Sequence, residues 1–295
     1  GVNNTGLAVF LDFSEAINRL GKDVVAQRYG NLFDMYEEIT DVSPYENPMM
    51  IYPAIHYTMG GIWVDYELMT SIKGLFAIGE CNFSDHGANR LGASALMQGL
   101  ADGDFVLPYT IQNYLADQIT VPRFSTDLPE FAAAEKAIQD KIDWMMNIKG
   151  KKSVDSIHKE LGHVMWEYVG MGRTAEGLKE GLKRLKEIRK EFEKELFIPG
   201  EKEGMNVELD KAIRLYDFIT MGELVAYDAL NRTESCGGHF REAYQPEAGE
   251  AKRDDENYFS VACWEYHGSD EKEPVLLKEP LVYEAIKVQT RNYKS

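Results

Sequence analysis

Gly74-Leu-Phe-Ala-Ile-Gly79-Glu80-Cys-Asn-Phe-Ser-Asp-His86-Gly-Ala-Asn89-Arg90-Leu-Gly92-Ala-Ser94-Ala-Leu96 is the densest stretch of the chain. Leu75 to Ile78 reads as a short, fully apolar strand that stops at Gly79-Glu80. A polar, glycine-rich loop follows. Ala93 to Leu107 then reads as a helix, with Leu96, Leu100 and Val106 on one side and Ala and Gly permitting close packing. Strand, loop and helix in that order place a carboxylate at the C-terminal edge of a sheet, where α/β folds bind nucleotides. A carboxylate there accepts two hydrogen bonds from a polyol. The loop lets backbone approach a flat ligand, and the helix aims its free N–H groups and positive dipole end at what sits above it.

Upstream, His56-Tyr-Thr-Met-Gly60-Gly61 supplies an imidazole before a Gly-Gly turn, and Ile62-Trp63-Val64 opens the next strand. Arg90 offers a planar fork that grips a carboxylate with two parallel hydrogen bonds, and His56 adds a third. A ring system that gains negative charge at one end, as a reduced flavin does, suits the helix N-terminus. Further upstream, Val9-Phe10-Leu11 is a brief strand, Glu15–Leu20 an amphipathic helix, and Met49–Tyr57 a β-like run interrupted by Pro53.

Downstream the texture turns helical over Glu130–Asn147, Val154–Val169, Ala175–Phe197 and Val207–Leu230. The third segment carries Leu178, Leu182, Leu185, Ile188, Phe192 and Leu196 at gaps of 4, 3, 3, 4 and 4, one apolar stripe on a charged helix. The tail ends in two β-like runs, Tyr258–Tyr266 and Leu281–Thr290, on either side of a stretch that includes the charged loop Ser269–Pro274.

Several chemistries are excluded. Gly170-Met-Gly172-Arg-Thr-Ala175 fits the form of a dinucleotide loop, but a helix rather than a strand precedes it, so it reads as a turn between bundle helices. His158 and His163 are five apart, off the spacing that puts two imidazoles on one helix face, and neither HExxH, a nucleophile elbow nor a P-loop occurs. With 32 Lys and Arg against 49 Asp and Glu, the net charge of −17 makes nucleic acid or an anionic membrane surface a poor partner. Cys81, Cys236 and Cys263 are too few and too scattered for a disulfide framework, a zinc ribbon or an iron–sulfur cluster. A reducing compartment is the simplest setting. The start, Gly-Val-Asn-Asn-Thr, has no signal-peptide features and reads as a chain entered partway through.

In combination these motifs resemble the flavoprotein subunit of succinate dehydrogenase and fumarate reductase. That family carries H-Y-x-M-G-G, G-L-F-A-x-G-E and H-G-A-N-R-L-G in this order. The tail agrees: Glu234-Ser-Cys-Gly-Gly-His239-Phe-Arg241-Glu242 and Arg253-Asp-Asp-Glu-Asn257 resemble its E-S-R-G-A-H-x-R-E and R-D-D-E-x-W. Leu20-Gly-Lys-Asp-Val and Asn47-Pro48 fit the approach to His56. The resemblance implies that His56 and Arg90 bind the carboxylates of a dicarboxylate. It implies that Glu80 contacts FAD, that Asn89 belongs to the cofactor loop, and that Ala95 and Leu96 lie beside the flavin ring. The family's diphosphate-binding glycine loop, covalent-flavin His and proton-transfer Arg find no match here, so no catalytic residue is assigned and weak FAD retention by this chain is expected. Two departures stand out: Ser94-Ala95 replaces the frequent Asn-Ser, and Cys236 replaces the usual Arg.

The expected fold is α+β. A capping-domain remnant spans residues 1–48, a segment of an FAD-binding α/β domain 49–119, a helical bundle 120–235, and a small α+β tail 236–295. The resemblance implies succinate–fumarate interconversion with FAD and electron transfer to an iron–sulfur subunit. Through that subunit, a quinone-reactive membrane subunit would hold the protein at the cytoplasmic face of the inner membrane. Two alternatives remain open: an L-aspartate oxidase-like flavoenzyme, and a non-catalytic scaffold that docks on an iron–sulfur partner.

Overall fold

The computed structural model describes all residues except 1, 3, 5, 53, 84–86, 89, 91–93, 247–250, 268–273, 286 and 289–295. The chain forms two compact units, Gly1–Thr58 and Met59–Ser295. Helices dominate and the strands are few, so the architecture is mixed α+β.

In the first unit, β1 (Val9–Leu11) pairs antiparallel with β2 (Met49–Ile51) in the register Val9↔Ile51, Phe10↔Met50, Leu11↔Met49. Between them lie α1 (Ser14–Leu20) and the longer α2 (Lys22–Thr40). Phe33 is fully buried, and the rings of Phe13 and Tyr45 meet it edge-on with centroids at 4.9 and 4.8 Å. Sequence reading found α1 and missed α2, although Val25, Tyr29, Phe33 and Tyr36 follow helical spacing. The stripe was obscured because Met35 and Ile39, off that face, are also apolar and stand exposed. The β-like run expected over Met49–Tyr57 is a strand only over its first three residues, as many as β1 has to pair with.

In the second unit, the core is built by α6 (Val154–Val169), α7 (Ala175–Glu195) and α8 (Val207–Asn231), while α5 (Pro129–Asn147) docks through its last turns by Ile142, Met145 and Met146. All four match the expected segments within two residues. The expected stripe of α7 is inside: Leu178, Leu185, Ile188, Phe192 and Leu196 are fully buried, with Leu182 partly so. Three of these helices start on a side-chain cap, Ser153 Oγ, Thr174 Oγ1 and Asn206 Oδ1 each accepting from a backbone N–H three residues on. Gly172 and its neighbours form the turn between α6 and α7, as expected. Arg189 is buried in the bundle and bonds both Glu223 carboxylate oxygens at 3.1 Å, so the charge is paired where burial would otherwise be costly.

The tail begins at α9 (Asp255–Tyr258), followed by the hairpin of β3 (Ser260–Glu265) and β4 (Val275–Pro280), with Ser260↔Pro280 and Glu265↔Val275 as its end pairs. The first β-like run was placed correctly. The second lies elsewhere: the strand that pairs with β3 is Val275–Pro280, and of the expected run Leu281–Thr290 residues 286, 289 and 290 lie outside the described residues. The reason is pairing. All six residues of β3 are matched by Pro280, and among the described residues beyond it Leu281 N–H reaches back to Phe259 O at 3.3 Å.

Candidate functional site

The site grows from the loop system at Met59–Phe83. Gly61 has a φ of 152° and lies against the Cys81 and Asn82 carbonyls, with the Asn82 oxygen 2.6 Å from where a Cβ would stand. That closeness lets Ile62 make a parallel bridge with Asn82: Ile62 N–H donates to Cys81 O at 2.9 Å, and Phe83 N–H to Ile62 O at 3.0 Å. The run Leu75–Ile78, expected to be a strand, makes a single bridge between Phe76 and Met69. Its backbone partners are Thr70 and Leu68 across a tight turn, so pairing is too short for a regular strand. Ile62-Trp63-Val64 is likewise a bridge at Ile62 and not a strand.

Glu80 sits in the single 3₁₀ turn Gly79–Cys81, with its carboxylate exposed. Behind it runs α3 (Ser94–Ala101), which continues as a π-helical segment (Asp102–Val106) into α4 (Leu107–Leu115). The one expected helix over Ala93–Leu107 is thus three joined pieces. A Cβ on Gly99 would lie 3.0 Å from the Gly79 Cα, so the helix and the Glu80 turn touch backbone to backbone. Ala95 is buried against the turn side. Leu96, Met97 and Leu100 face outward and are 62%, 67% and 62% exposed. Asp102 is buried in the π segment and accepts from Gln98 Nε2 at 3.2 Å.

Arg90 is half-buried and places Nη1 3.5 Å from Glu80 Oε1. The contact is long for a charge-assisted bond. Glu80 and Arg90 are thus brought together, with Ala95 and Leu96 on the adjacent helix. Asn89 lies outside the described residues, as do residues 91–93, where the N-terminus of the helix was expected. His56 belongs to the other unit, where it is exposed and meets the Tyr57 ring edge-on at 5.6 Å. Among the described residues no cluster of His, Cys, Asp and Glu forms a metal site, and no helix is long and apolar enough to cross a membrane.

A second polar centre was not foreseen. The carbonyls at the C-terminus of α6, Val169 O and Gly170 O, both receive Arg173 Nε at 3.1 Å. Those ending α8, Ala229 O, Leu230 O and Arg232 O, receive Arg241 Nη1 at 2.7, 3.2 and 3.2 Å. Guanidinium groups at helix C-termini meet the negative dipole end and satisfy orphan carbonyls. Glu234 ties the two tail motifs together: its carboxylate takes Arg232 Nε on one oxygen and Asp254 N–H on the other, both at 2.8 Å. Burial pushes the Cys236 thiol up and the Arg173 guanidinium down from their ordinary values. The signal available in the sequence was Arg173 soon after α6; Arg241, well beyond the end of α8, carries no such signal.

Two family profiles match separate stretches of the chain. The FAD-binding domain profile matches residues 4–96, and the fumarate reductase flavoprotein C-terminal profile matches residues 158–293. The succinate dehydrogenase flavoprotein subunit of Bacillus subtilis is 32% identical over 74% of this chain and 36% of its own length. The fumarate reductase flavoprotein subunit of a Serratia strain is 32% identical over 86% of this chain and 40% of its own. A quinol-fumarate reductase solved with menaquinol superposes with a TM-score of 0.78 at 26% identity, over 95% of this chain and 46% of that one.

The chain belongs with the succinate dehydrogenase and fumarate reductase flavoproteins. It spans less than half the length of these relatives, 36%, 40% and 46% in turn. The resemblance read from His56, Glu80, Arg90 and the tail motifs is therefore the one that whole-chain comparison finds.

Proposed function

We propose that this chain forms the substrate-side and flavin-facing part of a succinate dehydrogenase or fumarate reductase flavoprotein. The observation that carries the reading is the Glu80–Arg90 pair over the Gly79–Gly99 contact, next to an apolar helix face left exposed at Leu96 and Leu100. The residues suit FAD: Glu80 is an exposed carboxylate, only loosely held by Arg90, that can accept from ribityl or ribose hydroxyls, and small residues let backbone come close to a flat ring. FAD, when bound, supplies the hydride acceptor or donor. The chain's own groups bind and orient. Arg90 takes one substrate carboxylate in a two-bond grip, and for His56 a dicarboxylate-binding role rests on the family motif alone. Residues 1–48, 49–119, 120–235 and 236–295 would serve as cap remnant, cofactor segment, helical domain and C-terminal domain. Electrons would leave through an iron–sulfur subunit and a quinone-reactive membrane subunit, which keep the protein peripheral to the cytoplasmic face of the inner membrane.

The test is turnover by the complete flavoprotein that carries this segment. Succinate-dependent dye reduction giving fumarate supports the reading, and iminoaspartate from L-aspartate instead would favour the oxidase branch. The isolated 295-residue chain should not turn over and should hold FAD only weakly, because its only G-x-G-x-x-A stretch lies between two helices. Flavin-fluorescence titration reads that directly: stoichiometric FAD at micromolar concentrations would refute weak retention.

A further inference from the structure

His239 meets one capping arginine, Arg173, and the Arg232 carbonyl that the other, Arg241, also bonds. Arg173 Nη1 is 2.8 Å from its Nδ1, and its Nε2 is 2.9 Å from Arg232 O. A guanidinium only donates and a carbonyl only accepts. The partners therefore fix one form of the ring: neutral, with Nδ1 accepting and Nε2–H donating. Protonation would set an N–H against the Arg173 N–H and break the chain of bonds.

The ring belongs to a four-residue turn. Cys236 N–H donates to His239 O at 2.9 Å and His239 N–H to Cys236 O at 3.0 Å, with Gly237 at φ 57° between them. At the turn's tip, Gly238 N–H donates to Ala88 O at 3.2 Å. A Cβ on Gly238 would come within 2.8 Å of the Met59 methyl, so the turn is pressed onto the segment that opens this unit. Ala88 is two residues from Arg90. The turn is thus joined on one side to two helix C-termini through the His239 ring, and on the other to the backbone just before Arg90.

We infer that His239 is a positioning residue for Arg90, holding the Ala88 carbonyl two residues before it in place only while the His239 ring is neutral. The inference rests on the functional reading above for its activity readout. The charged and titratable groups around the ring are Arg173 after α6, Arg232 and Asp228 at the end of α8, Arg241 on the returning segment, and the Cys236 thiol of the same turn. Asp228 is itself held by Trp264 Nε1 at 2.6 Å. Burial first, then the nearby Arg173 and Arg232 charges, lower the pKa of His239 from its ordinary 6.5, against the bond to Arg232 O, which raises it. The unfolded chain then binds the extra proton first, so stability from this centre is full above pH 6.5 and is lost as pH falls below it toward the lower folded value.

The experiment uses the complete, FAD-loaded flavoprotein and follows KM for the dicarboxylate against pH. Wild type should show KM rising on the acid side of pH 6.5, with kcat and FAD content steady. His239→Ala should raise KM about 10-fold at neutral pH, by analogy with small misplacements of a binding group. His239→Gln, whose amide accepts from Arg173 and donates to Arg232 O, should restore KM and remove the acid rise. An unchanged KM in His239→Ala, an acid rise that persists in His239→Gln, or loss of FAD and kcat in step with KM would each overturn the inference. Amide exchange separates it from the functional reading. The Gly238 N–H should exchange at least ~10-fold faster in His239→Ala and stay protected in His239→Gln, whether or not the protein oxidises succinate. Equal protection in all three proteins would overturn the link even in an active enzyme.

Discussion

The helical bundle and the Glu80–Arg90 segment are built from similar proportions of apolar residues but satisfy them differently. In the bundle, Leu178, Leu185, Ile188, Phe192, Leu215 and Ile219 are shut in by their own neighbours. In the segment, the enclosed core is small, Val64, Leu68 and Ala77 with partial cover from Phe83, Val106 and Leu107. The large side chains Leu96, Met97, Leu100 and Phe105 are left facing out. An exposed apolar patch beside polar groups is what a binding surface looks like before it is covered. The bundle is therefore where stability resides. The segment is where the proposed function places its chemistry.

The sharpest way to break that contrast is Phe192→Ala. The ring is fully buried and touches Trp144 and Tyr216, with centroids at 6.3 and 5.4 Å. Its removal should cost about 3–5 kcal/mol of unfolding free energy. Denaturant titration checks this, and in the complete enzyme kcat per folded molecule should be unchanged. A loss below about 1 kcal/mol would mean the bundle is loosely packed.

Arg90→Lys should do the reverse. Its long contact with Glu80 contributes little to stability, so the melting temperature should hardly move. A lysine keeps the charge but loses the planar fork, and misplacing a carboxylate by about 1 Å costs roughly 100-fold in rate, near 2.7 kcal/mol. Steady-state kinetics of the complete flavoprotein decide it: near-normal kcat/KM would remove Arg90 from substrate binding.

The same contrast explains what could be read in advance. The helices at 154–169, 175–195 and 207–231 were legible because each buries one side against its neighbours, which imprints helical spacing on the sequence, while 129–147 packs only its last turns. That Glu80 and Arg90 come together was legible because their motifs are chemically dense. The strand at Val275–Pro280 was misplaced because its position is fixed by β3 across the hairpin, a constraint that local β-propensity does not carry. The run Leu75–Ile78 failed for a similar reason, being apolar enough for a strand yet bridged at one residue. The Arg173–His239–Arg241 centre was hidden most deeply. Its members are up to 68 residues apart by number, and only the meeting of two helix C-termini gives them a shared purpose.

Gly99→Val probes the boundary between the two regions, because α3 is helical yet anchored to the Glu80 turn. The new side chain has to fit where Cβ alone lies 3.0 Å from the Gly79 Cα. Overpacking of this kind typically costs about 1–3 kcal/mol and moves backbone. Far from the bundle core, that shift should displace the Glu80 turn first. FAD affinity of the complete enzyme should fall while unfolding of the bundle, followed by its own amide exchange, stays as it was. If bundle protection fell in parallel, the two regions would form one cooperative block.

The smallest expected effect belongs to Thr174. Its Oγ1 accepts Gly177 N–H at 3.0 Å and caps α7, the helix that carries the central stripe of the bundle. Thr174→Ala leaves that N–H without its side-chain partner and should cost about 1 kcal/mol. The position is informative because it directly follows Arg173, whose guanidinium closes the end of α6 and meets His239. If the cap serves the bundle alone, unfolding free energy drops by that amount and the KM of the complete enzyme is untouched at every pH. If KM rises as well, loosening the first turn of α7 has shifted Arg173, and the bundle is transmitting its order to the Arg90 loop rather than standing beside it.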